Sequence, residues 1–526
     1  MKKELSQKWI ISKSWLRFLA IIILVIGVFF RFVNLDRKIY WNDEVYSSLR
    51  ISGYLESEMN DRLRNGRLVT LEDLEKYQYP NSEKNTIDTI EGLISEESQV
   101  VPLYFVILRF WVEWFGDSIA VIRSFSAFIS LLTFPCLYWL CQELFGSSLI
   151  GWMSIALIAI SPIHVLYAQE ARTYSLWIVA ILISGTALLR AMRLKTKVSW
   201  CIYAATLSLG FYSHLFFTWI ALGHGVYVAV IERFRLSKTS INYLLSALAG
   251  VITFLPWIWI IITHPTPDKI SWANAKQTPF ESAIRWVGII SRGFLDVGIG
   301  SSEPLKFNIA LIFCIFIILT LIIYSIYVLC RRTSKEVWLF ILILIGAVAL
   351  PLLVVDLLFE KKSTSTRYLL PVVLGMQLAV AYLFTIKLTS ISPKIWQKKL
   401  WSLVVSIVII SGIVSCTLSS QAQLWWIKAP LRYQEYPEIA NILSKTKKPL
   451  LISDSDMIFI QTLGHLLDPK VRFQFVVQGQ LPEITNSFTD IFLFKPSDFL
   501  KAGIEKIYNS NLQQINRSLW KITKSS

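Results

Sequence analysis

The stretch Leu16-Arg-Phe-Leu-Ala-Ile-Ile-Ile-Leu-Val-Ile-Gly-Val-Phe-Phe-Arg-Phe32 decides the fold class. It is apolar between Arg17 and Arg31 and follows Lys2, Lys3, Lys8 and Lys13. A secretory leader would be followed by small residues at a cleavage site, whereas Arg31 is succeeded by bulky Phe32 and Val33. The expectation is a retained first membrane span. Apolar stretches of about 20 residues, the length that crosses a bilayer, recur along most of the chain. Of the 526 residues 54% are hydrophobic and 17% charged, against about 25% charged in soluble domains. The composition predicts a polytopic α-helical membrane protein.

The formal net charge of +16 invites a nucleic-acid reading, but the basic residues cluster in short loops between apolar stretches. That is the pattern of topogenic charge, so no nucleic-acid partner is expected. The cysteines at 136, 141, 201, 314, 330 and 416 lie in or at the edges of apolar stretches and form no CxxC pair. A disulfide framework and a thiolate metal site are therefore not expected.

The spans predicted from hydropathy are residues 16–33, 118–142, 147–166, 172–192, 199–213, 215–233, 241–263, 306–331, 336–359, 367–388 and 399–418. Basic loops at Arg190 to Lys197, Arg233 to Lys238, Arg331 to Lys335 and Lys394 to Lys399 fix the parity if all face the cytoplasm. The segment 102–115 is apolar but short, and carries Arg109 and Glu113. It is placed as an amphipathic helix on the external surface, because a crossing there would turn the Arg190–Lys197 loop outward. The expectation is eleven spans, with the N-terminus inside and the C-terminus outside.

Two external segments and a tail follow from this topology. Residues 34–117 are polar and acid-rich, and residues 264–305 carry Pro265, Pro267, Trp272, Pro279 and Trp286. Residues 1–418 read as one membrane domain that includes both segments. Residues 419–526 alternate helix-like and strand-like patterns: helices near 437–443, 457–467 and 497–508, and strands near 449–453, 471–477 and 490–494. They predict a small external α/β domain. Asp454 and Asp456 form a DxD there, read as capping the following helix rather than binding a nucleotide sugar.

The chemistry-bearing residues fall on the external side in this topology. Asp43-Glu44 follows the first span by about ten residues, flanked by Tyr40, Trp41 and Tyr46. A carboxylate there can take a proton from a hydroxyl or amine brought to the bilayer surface; it can equally be a solvated loop end. In the hairpin Gln169-Glu170-Ala-Arg172, Glu170 could bind a polar substrate and Arg172 a phosphate, or the two could pair with each other. His214, in Tyr212-Ser-His214, could donate to a phosphate oxygen or be an interfacial histidine. Arg367-Tyr368, after Lys361-Lys362, presents a planar fork suited to an anionic headgroup, or an arginine snorkelling at a helix end.

These motifs resemble the polyprenyl-phosphate-dependent glycosyltransferases of the GT-C class, and most of all the family-39 branch of protein O-mannosyltransferases and lipid A aminoarabinose transferases. The residues that carry the resemblance are Trp41-Asn-Asp-Glu44, Pro102-Leu-Tyr104 with Phe115-Gly116, Arg123-Ser124, Ser161-Pro162, Tyr167-Ala-Gln-Glu-Ala-Arg-Thr-Tyr174 and Arg367-Tyr368-Leu-Leu-Pro371. It covers residues 16–390. The resemblance implies a GT-C-like fold and transfer of a sugar from a polyprenyl-phosphate donor to a protein, lipid or glycan acceptor, with inversion. Asp43 would be the base and Glu44 its support. Arg367 with Tyr368, and Arg123, Glu170, Arg172 and His214, would bind substrate, the cations stabilising the phosphate leaving group. The chain departs from some relatives at His214, where they carry Lys. No metal or other cofactor is implied, since Arg and His suffice to hold a monophosphate. The partners would be the lipid-linked donor, membrane lipid and the acceptor, at the extracytoplasmic face of a bacterial plasma membrane. Two other classes remain open on the residues alone. A flippase of lipid-linked intermediates should show repeats and charged broken helices at mid-membrane, and an envelope-assembly scaffold would use the tail for docking.

Overall fold

A computed structural model of the chain describes residues 13–266, 275–298, 309–390, 394–484, 488 and 490–524. Lys2, Lys3, Lys8, Trp272 and parts of the 264–305 segment lie outside the described residues. Eight described helices are long and apolar enough to cross a membrane, and the bent pair Ser148–Ala159 and Pro162–Ala168 makes a ninth if it is one span. Helices stand at all eleven expected positions. The count differs because Lys197–Ser213 and Phe217–Ile231 have only 17 and 15 residues. At about 1.5 Å per residue they fall short of a hydrocarbon core about 30 Å thick. The chain is a multi-pass membrane protein.

The chain divides into two compact units. The first comprises residues 1–35, 98–104 and 123–422; the second comprises 36–97, 105–122 and 423–526. The unit that contains the tail thus also contains most of the segment 34–117, which the sequence reading grouped with the membrane domain.

Among the long candidate spans, the one over Thr366–Thr389, which contains helix Leu370–Thr389, is the most enclosed, 89% buried. It packs beside helices Ser148–Ala159, Ile309–Arg332 and Lys335–Leu358. Gly375 allows one of these approaches: a Cβ there would meet Ile345 Cγ1 at 2.6 Å. The 67° bend at Ser161-Pro162 has a chemical cause. Pro162 has no N–H to donate, which leaves carbonyls of the preceding turn without helical partners. Arg31, 1% exposed, covers them, donating from Nη1 to Ala159 O at 2.7 Å and from Nη2 to Ile158 O at 3.2 Å. Gly27 leaves room for this contact, because a Cβ there would lie 2.3 Å from Ala159 O.

The second unit is built on a six-stranded sheet in the order β1-β3-β2-β4-β6-β5, where β1 is Leu68–Val69, β2 Pro449–Ser453, β3 Arg472–Phe475, β4 Asp490–Phe494, β5 Ser510–Gln514 and β6 Leu519–Lys524. Strands β3, β2 and β4 run parallel, and β1, β6 and β5 add antiparallel edges. All five residues of β2 are buried, as a central parallel strand requires. Helix Leu103–Phe115 buries Phe105, Leu108 and Val112 and exposes Trp114 and Phe115. Its two charges pair along one face, Arg109 Nε to Glu113 Oε1 at 2.8 Å. Asp456 accepts from Ile458 N at 2.9 Å, capping helix Met457–Gly464. Asp454 accepts from Ser497 N at 3.0 Å, beside the next helix start.

Helix Asn42–Ser52 is held in this unit through Arg50, which is fully buried. Its Nη2 meets Glu96 at 2.7 Å and its Nε meets Glu97 at 2.8 Å. Burial alone would raise the Glu96 carboxyl pKa. The Arg50 charge and the N–H groups of Glu56 and Ser57 outweigh that and hold it below the ordinary value of 4.5. A carboxyl whose folded pKa is depressed adds stability above its unfolded pKa, and that stability is lost as pH falls through the folded value. Acidification below about pH 4.5 is therefore expected to loosen this helix. Glu96→Gln should reduce that acid sensitivity, measured as the pH dependence of thermal unfolding between pH 6 and 3 (about that window, set by the carboxyl range).

Candidate active site

Asp43 lies in the first turn of helix Asn42–Ser52, after Trp41 in an extended conformation. The partial positive charge at a helix N-terminus favours an anion there. The carboxylate is half-buried and oriented through a short relay. Tyr433 OH donates to Asn42 Oδ1 at 3.1 Å, and Asn42 Nδ2 donates to Asp43 Oδ1 at 3.2 Å. Burial pushes the Tyr433 phenol up to about 12, so it stays a donor at any working pH. Glu44 points elsewhere. It is fully buried and accepts from Lys428 Nζ at 2.7 Å, with Lys428 itself 1% exposed. The Lys428 ammonium also lies 5.5 Å from the centre of the Trp41 ring. Of the acidic pair, only Asp43 is partly exposed; Glu44 is enclosed beside Lys428.

The first unit assembles a second group of side chains. The hairpin between helices Pro162–Ala168 and Tyr174–Leu194 is fixed by Gln169, whose Nε2 donates to Phe30 O at 2.8 Å and Val33 O at 2.9 Å. Ser126 Oγ donates to Arg172 O at 3.2 Å and is itself bonded to Tyr104 OH at 2.7 Å. Beside this hairpin Arg367 Nη1 donates to Tyr174 OH at 3.2 Å, and its guanidinium lies 5.5 Å from the Tyr368 ring. His214 stacks on Trp177 with centroids 4.4 Å apart, and stands 6.2 Å from Tyr174 and 6.1 Å from Tyr368. Its Nδ1 accepts from Phe216 N at 3.1 Å. In the neutral ring the proton then resides on Nε2, which can donate to an anion.

Arg172 and Arg367 are within electrostatic reach of His214, and Glu170, Arg367 and Arg292 are within reach of Tyr167. Three arginines therefore gather around Tyr167, Tyr174 and His214, an arrangement suited to an oxyanion, with the carboxylates of Glu170 and Asp296 within reach. Glu170 is 1% exposed. Arg123 is also 1% exposed, and Nη1 donates to Leu35 O at 2.6 Å. It ties its helix to the chain that leaves the first span. Tyr433, Lys428 and Arg292 were not singled out from sequence. Arg292 had a legible signal, an arginine at the end of an apolar helix in a segment expected outside. Lys428 and Tyr433 had none, since their partners are remote in sequence. Among the described residues no group of His, Cys, Asp and Glu is placed to hold a metal ion.

Comparison with known proteins bears on the fold and on one stretch of the chain. Residues 99–260 match the family model of dolichyl-phosphate-mannose-protein mannosyltransferases. No curated protein matches the chain by sequence. Among solved structures, apo ArnT from Cupriavidus metallidurans is similar over 96% of this chain and 97% of its own, with a TM-score of 0.53 and 10% identity. ArnT bound to undecaprenyl phosphate gives a TM-score of 0.49 at 10% identity, covering 97% and 98% of the two chains. Archaeal oligosaccharyltransferase AglB from Archaeoglobus fulgidus, in complex with an inhibitory peptide and a dolichol-phosphate, gives 0.48 at 14% identity, covering 87% and 65%. The chain has the GT-C fold of ArnT, and the family match falls on the stretch that carries Arg123, Glu170, Arg172 and His214.

Proposed function

We propose that this protein is a membrane glycosyltransferase that takes a sugar from a polyprenyl-phosphate donor at the extracytoplasmic face of a bacterial plasma membrane. The observation that carries the reading is the match of residues 99–260 to dolichyl-phosphate-mannose-protein mannosyltransferases, within a chain of ArnT-like fold. In this reading Asp43 accepts the proton of the acceptor hydroxyl or amine as its heteroatom bonds to the anomeric carbon. The bond from that carbon to the phosphate oxygen breaks on the opposite face, so configuration inverts and polyprenyl phosphate leaves with the electron pair. Arg367, Arg172 and Arg292, with His214 Nε2–H, stabilise the charge that grows on the phosphate. Tyr174 holds Arg367 in place and Tyr368 packs beside it. The acceptor is a protein, lipid or glycan nucleophile, and the tail forms an external α/β module.

Arg367→Ala is expected to lower the transfer rate by about 10²–10³-fold, the usual cost of losing one donor to a developing oxyanion. The effect should fall on kcat more than on KM, because the charge develops in the transition state. Arg367→Lys should recover only part of it, lacking the planar fork. Transfer from a polyprenyl-phosphate sugar by purified Arg367→Ala protein at the wild-type rate would remove Arg367 from the leaving-group site.

A further inference from the structure

A second group of cations in the first unit belongs to no part of this scheme. Helix Pro279–Ser291 carries Ser282, Arg285 and Trp286 at spacings that share one face. Trp286 Nε1 donates to Asp356 Oδ2 at 3.0 Å, near the end of helix Lys335–Leu358. The other oxygen, Asp356 Oδ1, accepts from Ser363 Oγ at 2.6 Å, Ser363 N at 2.9 Å and Thr364 N at 3.2 Å. Two backbone bonds, Gln277 N to Glu360 O at 2.9 Å and Lys362 N to Ala275 O at 2.8 Å, draw the start of the first helix to the loop after the second. Asp356 thereby clamps Arg285 and Lys362 into one patch.

Among the described residues the patch is left unsatisfied. Among the described residues neither Arg285 nor Lys362 makes a side-chain hydrogen bond or ion pair, and Arg285 Nε is buried. Ser282 Oγ and Thr364 Oγ1 are likewise buried without partners, on residues 0% and 1% exposed. Asp356 and Glu281 are within electrostatic reach of Arg285, but the two oxygens of Asp356 already accept four donors, about the capacity of a carboxylate, and neither carboxylate hydrogen-bonds the guanidinium. Burial, then the neighbouring Arg285 charge, lower the Lys362 pKa. Two cations and two orphan hydroxyls held together in this way cost free energy until an anion joins them. The rim is apolar and outward-facing: Phe280, Leu358 and Phe359 are 75%, 74% and 64% exposed. A cationic seat under such a rim suits a headgroup whose acyl chains lie alongside.

We propose that Arg285 and Lys362, with the hydroxyls of Ser282 and Thr364, bind the phosphate of a membrane lipid headgroup. The site goes beyond the transferase reading and does not rest on it. The test uses the full chain, purified in detergent and stripped of lipid, titrated separately with phosphatidylglycerol, dioleoylglycerol and inorganic phosphate while retained ligand is counted by native mass spectrometry. Phosphatidylglycerol is expected to bind, dioleoylglycerol not to bind, and inorganic phosphate to bind more weakly. Arg285→Gln with Lys362→Gln should weaken phosphatidylglycerol binding by about tenfold or more, the loss expected for charge-assisted hydrogen bonds. Lys362→Gln alone, which leaves the Asp356 clamp untouched, gives the same reading in weaker form should the double variant not fold, and Lys362→Arg should retain binding. Equal affinity of wild type and variants for phosphatidylglycerol would overturn the proposal. So would dioleoylglycerol binding as tightly as phosphatidylglycerol, and inorganic phosphate doing so would leave a free-anion site and overturn the lipid assignment.

Discussion

Replacing Asp43 with Asn is expected to slow sugar transfer by about 10²–10⁴-fold, the range that a positioned general base contributes. Asn keeps the shape and can still accept from Asn42 Nδ2, which donates to Asp43 Oδ1 at 3.2 Å, so the helix start should be preserved. What it cannot do is take a proton. The loss should therefore appear in kcat, with the thermal unfolding midpoint close to that of the wild type. Tyr433→Phe gives a graded companion, because it removes the donor to Asn42 Oδ1 and leaves the carboxylate in place but less firmly oriented. A normally inserted Asp43→Asn protein that transfers sugar at the wild-type rate would show that the proton goes elsewhere.

The second large effect is on stability. Lys428→Met takes from the fully buried Glu44 carboxylate the ammonium that lies 2.7 Å from it. Removing one partner of a buried ion pair costs about 3–5 kcal/mol. The Glu44→Gln/Lys428→Met double variant should recover a large part, since no uncompensated charge remains. Thermal unfolding of the four proteins of this cycle in one detergent measures the coupling. If Lys428→Met alone unfolds at the wild-type temperature, the pair does not hold the helix that carries Asp43. Activity discriminates further: the double variant, with Asp43 intact, should keep far more transfer than Asp43→Asn.

The membrane architecture was legible because it rests on local pattern. Runs such as 16–33 and 367–388 need no partner to be recognised, and helices Lys13–Phe32 and Leu370–Thr389 stand there. The helix bounds, by contrast, depart where chemistry interrupts an apolar run. Hydropathy from 147 to 166 is continuous, yet Pro162 breaks the helix and Arg31, read from sequence only as a residue unfit for a cleavage site, satisfies the carbonyls it exposes. Strands β2, β3 and β4 could be read from short apolar runs. The edge strands could not: β1 is two residues, Leu68 and Val69, in a polar segment, and gains strand geometry only by pairing with Phe473 and Gln474. Strand β5, Ser510–Gln514, is mostly polar and acquires its register from β6.

The same division holds for the candidate site. Asp43, Arg172, His214 and Arg367 are visible as polar residues at the ends of apolar runs, where charge is costly unless used. The different surroundings of Asp43 and Glu44 were not visible, because Lys428 lies 384 positions from Glu44 and only the folded second unit brings it there. Arg123 reads like an anion-binding arginine, but its carbonyl partner, Leu35, is 88 positions away. Arg292 carried a local signal at its helix end, but its place near Tyr167 comes from tertiary packing.

The most direct measurement is the fate of a polyprenyl-phosphate sugar, labelled in the sugar, when it is given to the purified protein in proteoliposomes with candidate acceptors outside. The expected result is label covalently joined to an acceptor with inverted anomeric configuration and stoichiometric release of polyprenyl phosphate, both lost in Asp43→Asn. Movement of intact donor across the bilayer with no transfer, unchanged by Asp43→Asn, would contradict a glycosyltransferase and identify a transporter of lipid-linked sugars.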